Sequence, residues 1–206
     1  MIRVGMMNPM YMPRIKEKLI ESYDNKKVFK FLHIPVQSGS DKVLNDMKRG
    51  HTSQTFREIV KKTKEKFPNF TISTDIIVGF PSETEEDFQK TVQLLDETKP
   101  DVVNLSKYSA RPGTDAAELK QIDAAEVKRR SKIIFDQINN ISLESNKKWI
   151  GWKGKVLFDE NTEEGIKGRN YAYKPIAVND KVKIGDSYIV EITDATRKRL
   201  IGKIAS

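Results

Sequence analysis

Between Arg3 and Tyr108 the chain alternates β-branched apolar runs with amphipathic helical spacing, and after Gly151 the helical period stops. That change of period constrains the fold more than any other feature. RVGMMN (3–8), VFKFLHIPV (28–36), FTISTDIIVGF (70–80) and DVVNLSKY (101–108) read as four strands. A helix over 13–23 carries Ile15, Leu19, Ile20 and Tyr23 on one face, and a short helix spans 41–48. A longer one from Ser53 aligns Phe56, Ile59, Val60 and Thr63 until Phe67-Pro68 closes it. Ser82-Glu83-Thr84-Glu85 fits a capping box, with Phe88, Val92 and Leu95 striping the helix behind it. Strands separated by helices pair in parallel, so the first part is expected to be α/β.

Asp123-Ala124-Ala125-Glu126 then caps a long basic helix toward Lys148. KGKVLFDE, YKPIAVND, KVKIG, SYIVEIT and RLIGKIA follow as short strand-like runs broken by Gly, Asn and Asp, which predicts a small all-β, OB-like barrel. The expected organisation is an α/β part over 1–122, a connecting helix over 123–146 and a barrel over 147–206. With 206 residues the chain can hold one medium and one small domain. The net charge of +8 is concentrated in residues 147–206, where 13 Lys/Arg stand against 8 Asp/Glu. That imbalance reads as a nucleic-acid-facing module or as a solvated lysine-rich surface. No apolar run of about 18 residues is present, so no membrane helix is expected. The start lacks a signal-peptide pattern, and the default location is cytoplasmic. Zero cysteines exclude disulfides, thiolate-bound zinc and iron–sulfur ligation from within this chain.

Ligands of parallel α/β folds sit at the C-terminal strand ends. Here those ends carry Asn8-Pro9, Gln37-Ser38, Gly79-Phe80-Pro81 and Tyr108-Ser109. Alternation turns Leu32, Ile34, Val36, Ile72, Ile76 and Val78 to covering helices, and His33, Gln37, Asp75, Asn104, Ser106 and Tyr108 to the other face. A strand buried on both faces should be apolar throughout, so one face of this sheet is expected to meet a polar ligand. Bland readings stand beside this one. His33 also suits a hydrogen-bonded interior histidine, Asp75 a partner for a buried arginine, and Ser38–Asp41 a helix N-cap. In the last segment Lys153, Lys155, Arg169, Lys174, Arg197, Lys198 and Arg199 interleave with Trp152, Tyr171 and Tyr173, which suits phosphates and stacked bases. Trp152 and one tyrosine equally suit barrel core. No reaction follows from these residues alone.

HIPVQSGSDKVLNDMKRGHT, STDIIVGFPSETEEDFQKTV and YSARPGT closely resemble the radical S-adenosylmethionine methylthiotransferases. The NP pair, DVVNLSKYSARPGTDAAELKQ and VKRRS are most similar to the archaeal and eukaryotic branch, which acts on N6-threonylcarbamoyladenosine beside the tRNA anticodon. The resemblance implies the C-terminal part of a partial parallel β/α barrel, with residues 147–206 where the family carries its tRNA-gripping TRAM domain. It implies S-adenosylmethionine near Gln37, Ser38, Asp75, Ile77, Gly79, Tyr108 and Ser109. It places tRNA near Arg111, Arg169, Tyr171, Lys174, Arg197, Lys198 and Arg199. The family also has an N-terminal domain and a CxxxCxxC loop holding a [4Fe–4S] cluster. Neither is found here, so the chain is expected to be inactive alone, whether as a fragment of a longer protein or as a piece for which the missing half is a candidate partner. Two other functions remain open. One is a stand-alone RNA-binding protein. The other is an unrelated α/β-barrel lyase, for which Lys107 would be the strand-end lysine, although alternation turns it toward the helices.

Overall fold

A computed structural model describes residues 1–162 and 165–205. Three strands, β1 (Phe31–His33), β2 (Thr71–Val78) and β3 (Val102–Lys107), form a parallel sheet in the order β1-β2-β3. Asp75 stands opposite Asn104, and His33 opposite Ser73. The chain returns between strands through α2 (Asp41–Asp46), α3 (Ser53–Lys66) and α4 (Glu85–Thr98), as parallel pairing requires. Leu32, Ile34, Val36, Ile72, Ile76 and Val78 are fully buried against Phe56, Ile59 and Val60 of α3 and Phe88, Leu94 and Leu95 of α4. After the short α5 (Asp115–Glu118), the helix α6 (Ala124–Lys147) adds Ile134 and Ile141 to the same layer, and α1 (Met12–Ser22) packs on α3. One face is therefore covered by helices, as the alternation predicts.

The expected first strand does not form a continuous ladder. The segment touches its neighbour only through single parallel bridges, Met6 with His33 within 3–8 and Ile2 with Val28 just before it. Met7 N donates to His33 O at 2.9 Å. Ile2 and Met6 stay 61% and 65% exposed, so little apolar burial holds this edge. The cap of α4 is also shifted. Its N-cap is Thr84, whose side chain accepts from Asp87 N while Asp87 reaches back to Thr84 N. Glu83 is instead drawn inside to meet Arg130, which takes it out of the cap.

The C-terminal segment is a closed barrel in the order β4-β5-β6-β8-β7. Its strands are β4 (Lys153–Thr162), β5 (Gly165–Arg169), β6 (Pro175–Val178), β7 (Ser187–Ala195) and β8 (Leu200–Ile204). Val156, Phe158, Ile176, Val190, Ile192 and Leu200 fill it, closed at one end by Trp149. The strand β5 has too short an apolar signature to stand out in sequence. KVKIG, expected as a strand, is a turn. Gly185 at φ 89° donates to Phe158 O, and Asp186 N donates to Lys183 O, leaving no free ladder.

The barrel sits at the N-terminal ends of the sheet strands. Lys30 N donates to Tyr171 O at 2.8 Å, and the Tyr173 ring lies 4.9 Å from Phe29 and 5.2 Å from Phe31. Asn146 of α6 donates to Thr196 O at 2.9 Å. Barrel and C-terminal strand ends are thus on opposite sides of a sheet whose eight-residue β2 spans about 26 Å at ~3.3 Å per residue.

Candidate functional site

The Ser-Gly-Ser that follows Gln37 is spent on holding α4. Ser38 is fully buried, with its Oγ 3.3 Å from Thr91 Oγ1, and Gly39 N donates to the same oxygen at 2.9 Å. A Cβ on Gly39 would lie 2.3 Å from the Lys90 carbonyl oxygen, so only glycine lets the turn approach the helix this closely. Ser40 Oγ donates to Asp87 Oδ1 at 2.6 Å and caps α2. Ser38 is therefore removed from the set that can touch a ligand, and the helix-cap reading of Ser38–Asp41 holds. Burial works to raise the Asp87 carboxyl, but the hydrogen bonds from Ser40, Thr84 and Lys42 outweigh it and hold the group well below its ordinary value.

Gly79 is also structural. It sits at φ 81°, its N donates to Glu83 Oε2 at 2.9 Å, and an added Cβ would lie 2.7 Å from Val127 of α6. Arg130 Nη1 meets the same Glu83 carboxylate at 2.8 Å, and both side chains are buried. Burial pushes the Glu83 carboxyl up, against the pull of the Gly79 amide and Arg130. The close approach at Gly79 is thus to a helix.

What remains at the C-terminal strand ends is a cavity of about 500 Å³, lined by Ile77, Phe80, Ser106, Lys107, Tyr108, Ser109 and Arg111, with Arg49 and Met47 beyond α2. Lys107, expected to turn toward the helices, is exposed at the end of β3 and lines this cavity too. This volume is within the range of small-ligand pockets. Phe80 and Tyr108 meet edge to face, centroids 5.2 Å apart, giving an apolar wall beside hydroxyls and a guanidinium. Gln37 is nearly buried at the adjacent end of β1, with φ 73°, its backbone paired to Asp75 and Ile77. Arg49 has no signal in the strand pattern because it lies in a helix–loop turn.

Below the cavity, on the open face, Asp75 Oδ1 lies 2.9 Å from His33 Nε2 and accepts from Asn104 Nδ2 at 2.7 Å. One carboxylate thus ties all three strands together on the face that alternation marks as polar. Its partner is a histidine, where a buried arginine was the bland expectation.

A second cavity, about 680 Å³, lies on the barrel between Lys167, Arg169, Pro175 and the turn Arg197-Lys198-Arg199. Lys167 and Arg169 share Glu160, each at 3.1 Å, and the Arg169 guanidinium also lies 4.8 Å from the Tyr173 ring centre. Sequence reading missed Lys167, although its i, i+2 relation to Arg169 would have placed both on one face had β5 been read as a strand. Tyr171 packs against Trp149 and Trp152, at 5.8 and 6.1 Å between ring centres, and still stays 36% exposed. Lys174 does not face solvent. Its Nζ is buried among Asp101 Oδ1 at 2.8 Å, Asn146 Oδ1 at 3.0 Å and Ser145 Oγ at 3.2 Å. It is consumed by the contact between barrel and sheet, so its placement among RNA-facing cations is corrected.

Among the described residues no group of His, Cys, Asp or Glu is arranged to hold a metal ion, and no helix is long and apolar enough to cross a membrane.

Residues 1–95 match the Radical SAM superfamily. Over 209 aligned residues the chain is 46% identical to a probable threonylcarbamoyladenosine tRNA methylthiotransferase of Archaeoglobus fulgidus, covering 100% of this chain and 48% of that protein. The like-named protein of Methanocaldococcus jannaschii is 45% identical, covering 98% of this chain and 46% of its own length. The threonylcarbamoyladenosine tRNA methylthiotransferase of Caenorhabditis elegans is 36% identical, with coverages of 100% and 49%. The chain therefore spans about half the length of the curated relatives it matches. Coproporphyrinogen III oxidase of Escherichia coli, a radical SAM enzyme, overlays at a TM-score of 0.47 and 16% identity, covering 97% of this chain and 57% of that one, a likeness too loose to argue from.

Proposed function

We propose, from the premise that this chain is a homologue of the threonylcarbamoyladenosine tRNA methylthiotransferases over about half their length, that it is the cofactor- and tRNA-positioning portion of such an enzyme. The end-to-end 46% identity carries the reading. The α/β part over 1–122 is then the C-terminal part of a partial radical SAM barrel, 123–146 its connecting helix, and 147–206 a TRAM-type module.

S-adenosylmethionine suits the cavity at the C-terminal strand ends. Ile77, Phe80 and Tyr108 offer a wall for adenine, and Ser106, Ser109 and Arg111 offer groups for ribose or the amino acid end. When bound and reductively cleaved, the cofactor supplies a 5′-deoxyadenosyl radical. This chain's part is to fix the reacting carbon and the target base in register and to exclude water. A [4Fe–4S] cluster does not suit the chain, which has no cysteine to ligate it. No step through a cluster is assigned to these residues.

RNA is held at the other end of the sheet. Arg169, Arg197, Lys198 and Arg199, with Lys167, meet phosphates in the barrel groove. Arg111, at the cofactor end, would then face the substrate nucleoside. Two grips about a sheet length apart orient one RNA across the open face.

The test is a titration with tRNA at several salt concentrations, beside anaerobic reconstitution with iron and sulfide. Salt-dependent tRNA binding without cluster absorbance supports the reading. Affinity unaffected by salt, or stoichiometric cluster binding, overturns it.

A further inference from the structure

A third cavity, about 560 Å³, lies where the open edge of β3 meets α6, and its chemistry differs from that of the basic groove. Val102, Val103 and Leu105 of β3 line it with Phe135 and Ile138 of α6, and the polar groups among them are Asn139, Ser142 and Asp101, whose carboxylate is paired with Lys174. Phe135 is 50% exposed and Val102 40%, a large apolar display for two positions that flank the same hollow. The opposite wall is Arg197 and Lys198, which also line the basic groove on the other side of their turn. Lys167 and Arg169 are engaged with Glu160. Among the described residues neither the Arg197 nor the Lys198 side chain forms an ion pair, and the Asp101 carboxylate in the same lining is taken by Lys174. The turn itself is held in place by Asn146 Nδ2 donating to Thr196 O and by Thr196 Oγ1 accepting from Lys198 N and Arg199 N. Two exposed cations with no ion-pair partner among the described residues thus stand on a backbone-anchored turn that lines both the basic groove and the hollow.

We propose that the hollow is a nucleotide-stacking subsite: one unpaired base of the bound RNA lies on the Phe135 ring above Val102, while Arg197 and Lys198 hold its flanking phosphates. This rests on the RNA-binding reading and extends it from the barrel to α6. The chemistry favours a nucleotide because a purely apolar partner would leave both cations desolvated and unpaired. A purely anionic partner would leave the ring and the valine unused. A nucleotide satisfies both walls, as sequence-tolerant single-strand sites do with an aromatic platform beside a cationic track.

The two walls make separable contributions, which the full chain can report. Replacing Phe135 with alanine removes stacking but no charge, so tRNA affinity should fall about tenfold with the salt slope unchanged. Arg197→Ala with Lys198→Ala should reduce the log–log slope by about 1.4 to 1.8. Phe135→Trp should keep affinity within about threefold and show fluorescence quenching on tRNA addition beyond that of Trp149 and Trp152 in the parent chain. Since Phe135 is half exposed, the thermal midpoint of each variant should match the parent's. Parent-like affinity in Phe135→Ala, or a change in its oligomeric state without a change in RNA affinity, overturns the subsite while leaving RNA binding intact. A parent chain that binds no tRNA overturns both.

Discussion

Lys174 Nζ lies 2.8 Å from Asp101 Oδ1, and both groups are buried where the barrel meets the start of β3. Ser145, Asn146 and the Ile72 amide complete the network, so a helix, a sheet and a barrel share one set of hydrogen bonds. Removing one partner of a buried ion pair leaves the other charge uncompensated, at a cost of about 3–5 kcal/mol. Lys174→Met should lower the urea midpoint accordingly. Combined with Asp101→Asn it should cost less than the sum of the two single changes, because the stranded charge is gone. Strict additivity in a double-mutant cycle would show that the pair is not coupled.

Acid should loosen the same junction. Burial of Asp101 opposes its ionisation, but the Lys174 charge and hydrogen bonds from Lys174, Ser145 and Ile72 N prevail and lower its pKa from 3.8. Asp87 is lowered likewise. A depressed folded-state pKa means stabilisation that is complete well above 3.8 and is lost as pH falls through the folded values. Glu83, raised above 4.5, works in the opposite direction and costs stability once ionised. The thermal midpoint between pH 6 and 2 should therefore drop steeply below about pH 4, and Asp87→Asn should make that drop shallower.

The turn after Gln37 offers a test of packing alone. Gly39→Ala places a methyl 2.3 Å from the Lys90 carbonyl oxygen, where the obstacle is backbone. Overpacking of this kind costs about 1–3 kcal/mol. Gly5→Ala, with nothing within 4 Å, is the control and should be neutral. Equal thermal midpoints for the two variants would mean that the contact of α4 with this turn is looser than described.

The edge beside β1 should associate. Ile2 and Met6 are mostly exposed next to backbone that forms only single bridges, and such edges template pairing with another chain. Sedimentation at increasing concentration should show self-association that Ile2→Lys with Met6→Lys suppresses. A monomer at all concentrations, with residues 3–8 strongly protected in hydrogen exchange, would contradict this.

The sequence alone determined which residues form the helix-covered face of the sheet, because Leu32, Ile34, Val36, Ile72, Ile76 and Val78 follow a local period of two that burial obeys. It determined the polar face for the same reason, and the absence of cluster ligands by composition. Family resemblance implied a ligand for the C-terminal strand ends and another for the last sixty residues, but not which polar atoms remain available. Only the tertiary structure decided that. Ser38 and Gly79 look like ligand contacts in a linear reading, yet one is consumed by Thr91 of α4 and the other approaches Val127 of α6. Lys174 looks like an RNA cation until Asp101, 73 residues away, buries it. Periodicity reports the direction in which a side chain leaves its own backbone. What it meets there is set by elements distant in sequence, and whether a polar group is spent or free depends on that meeting.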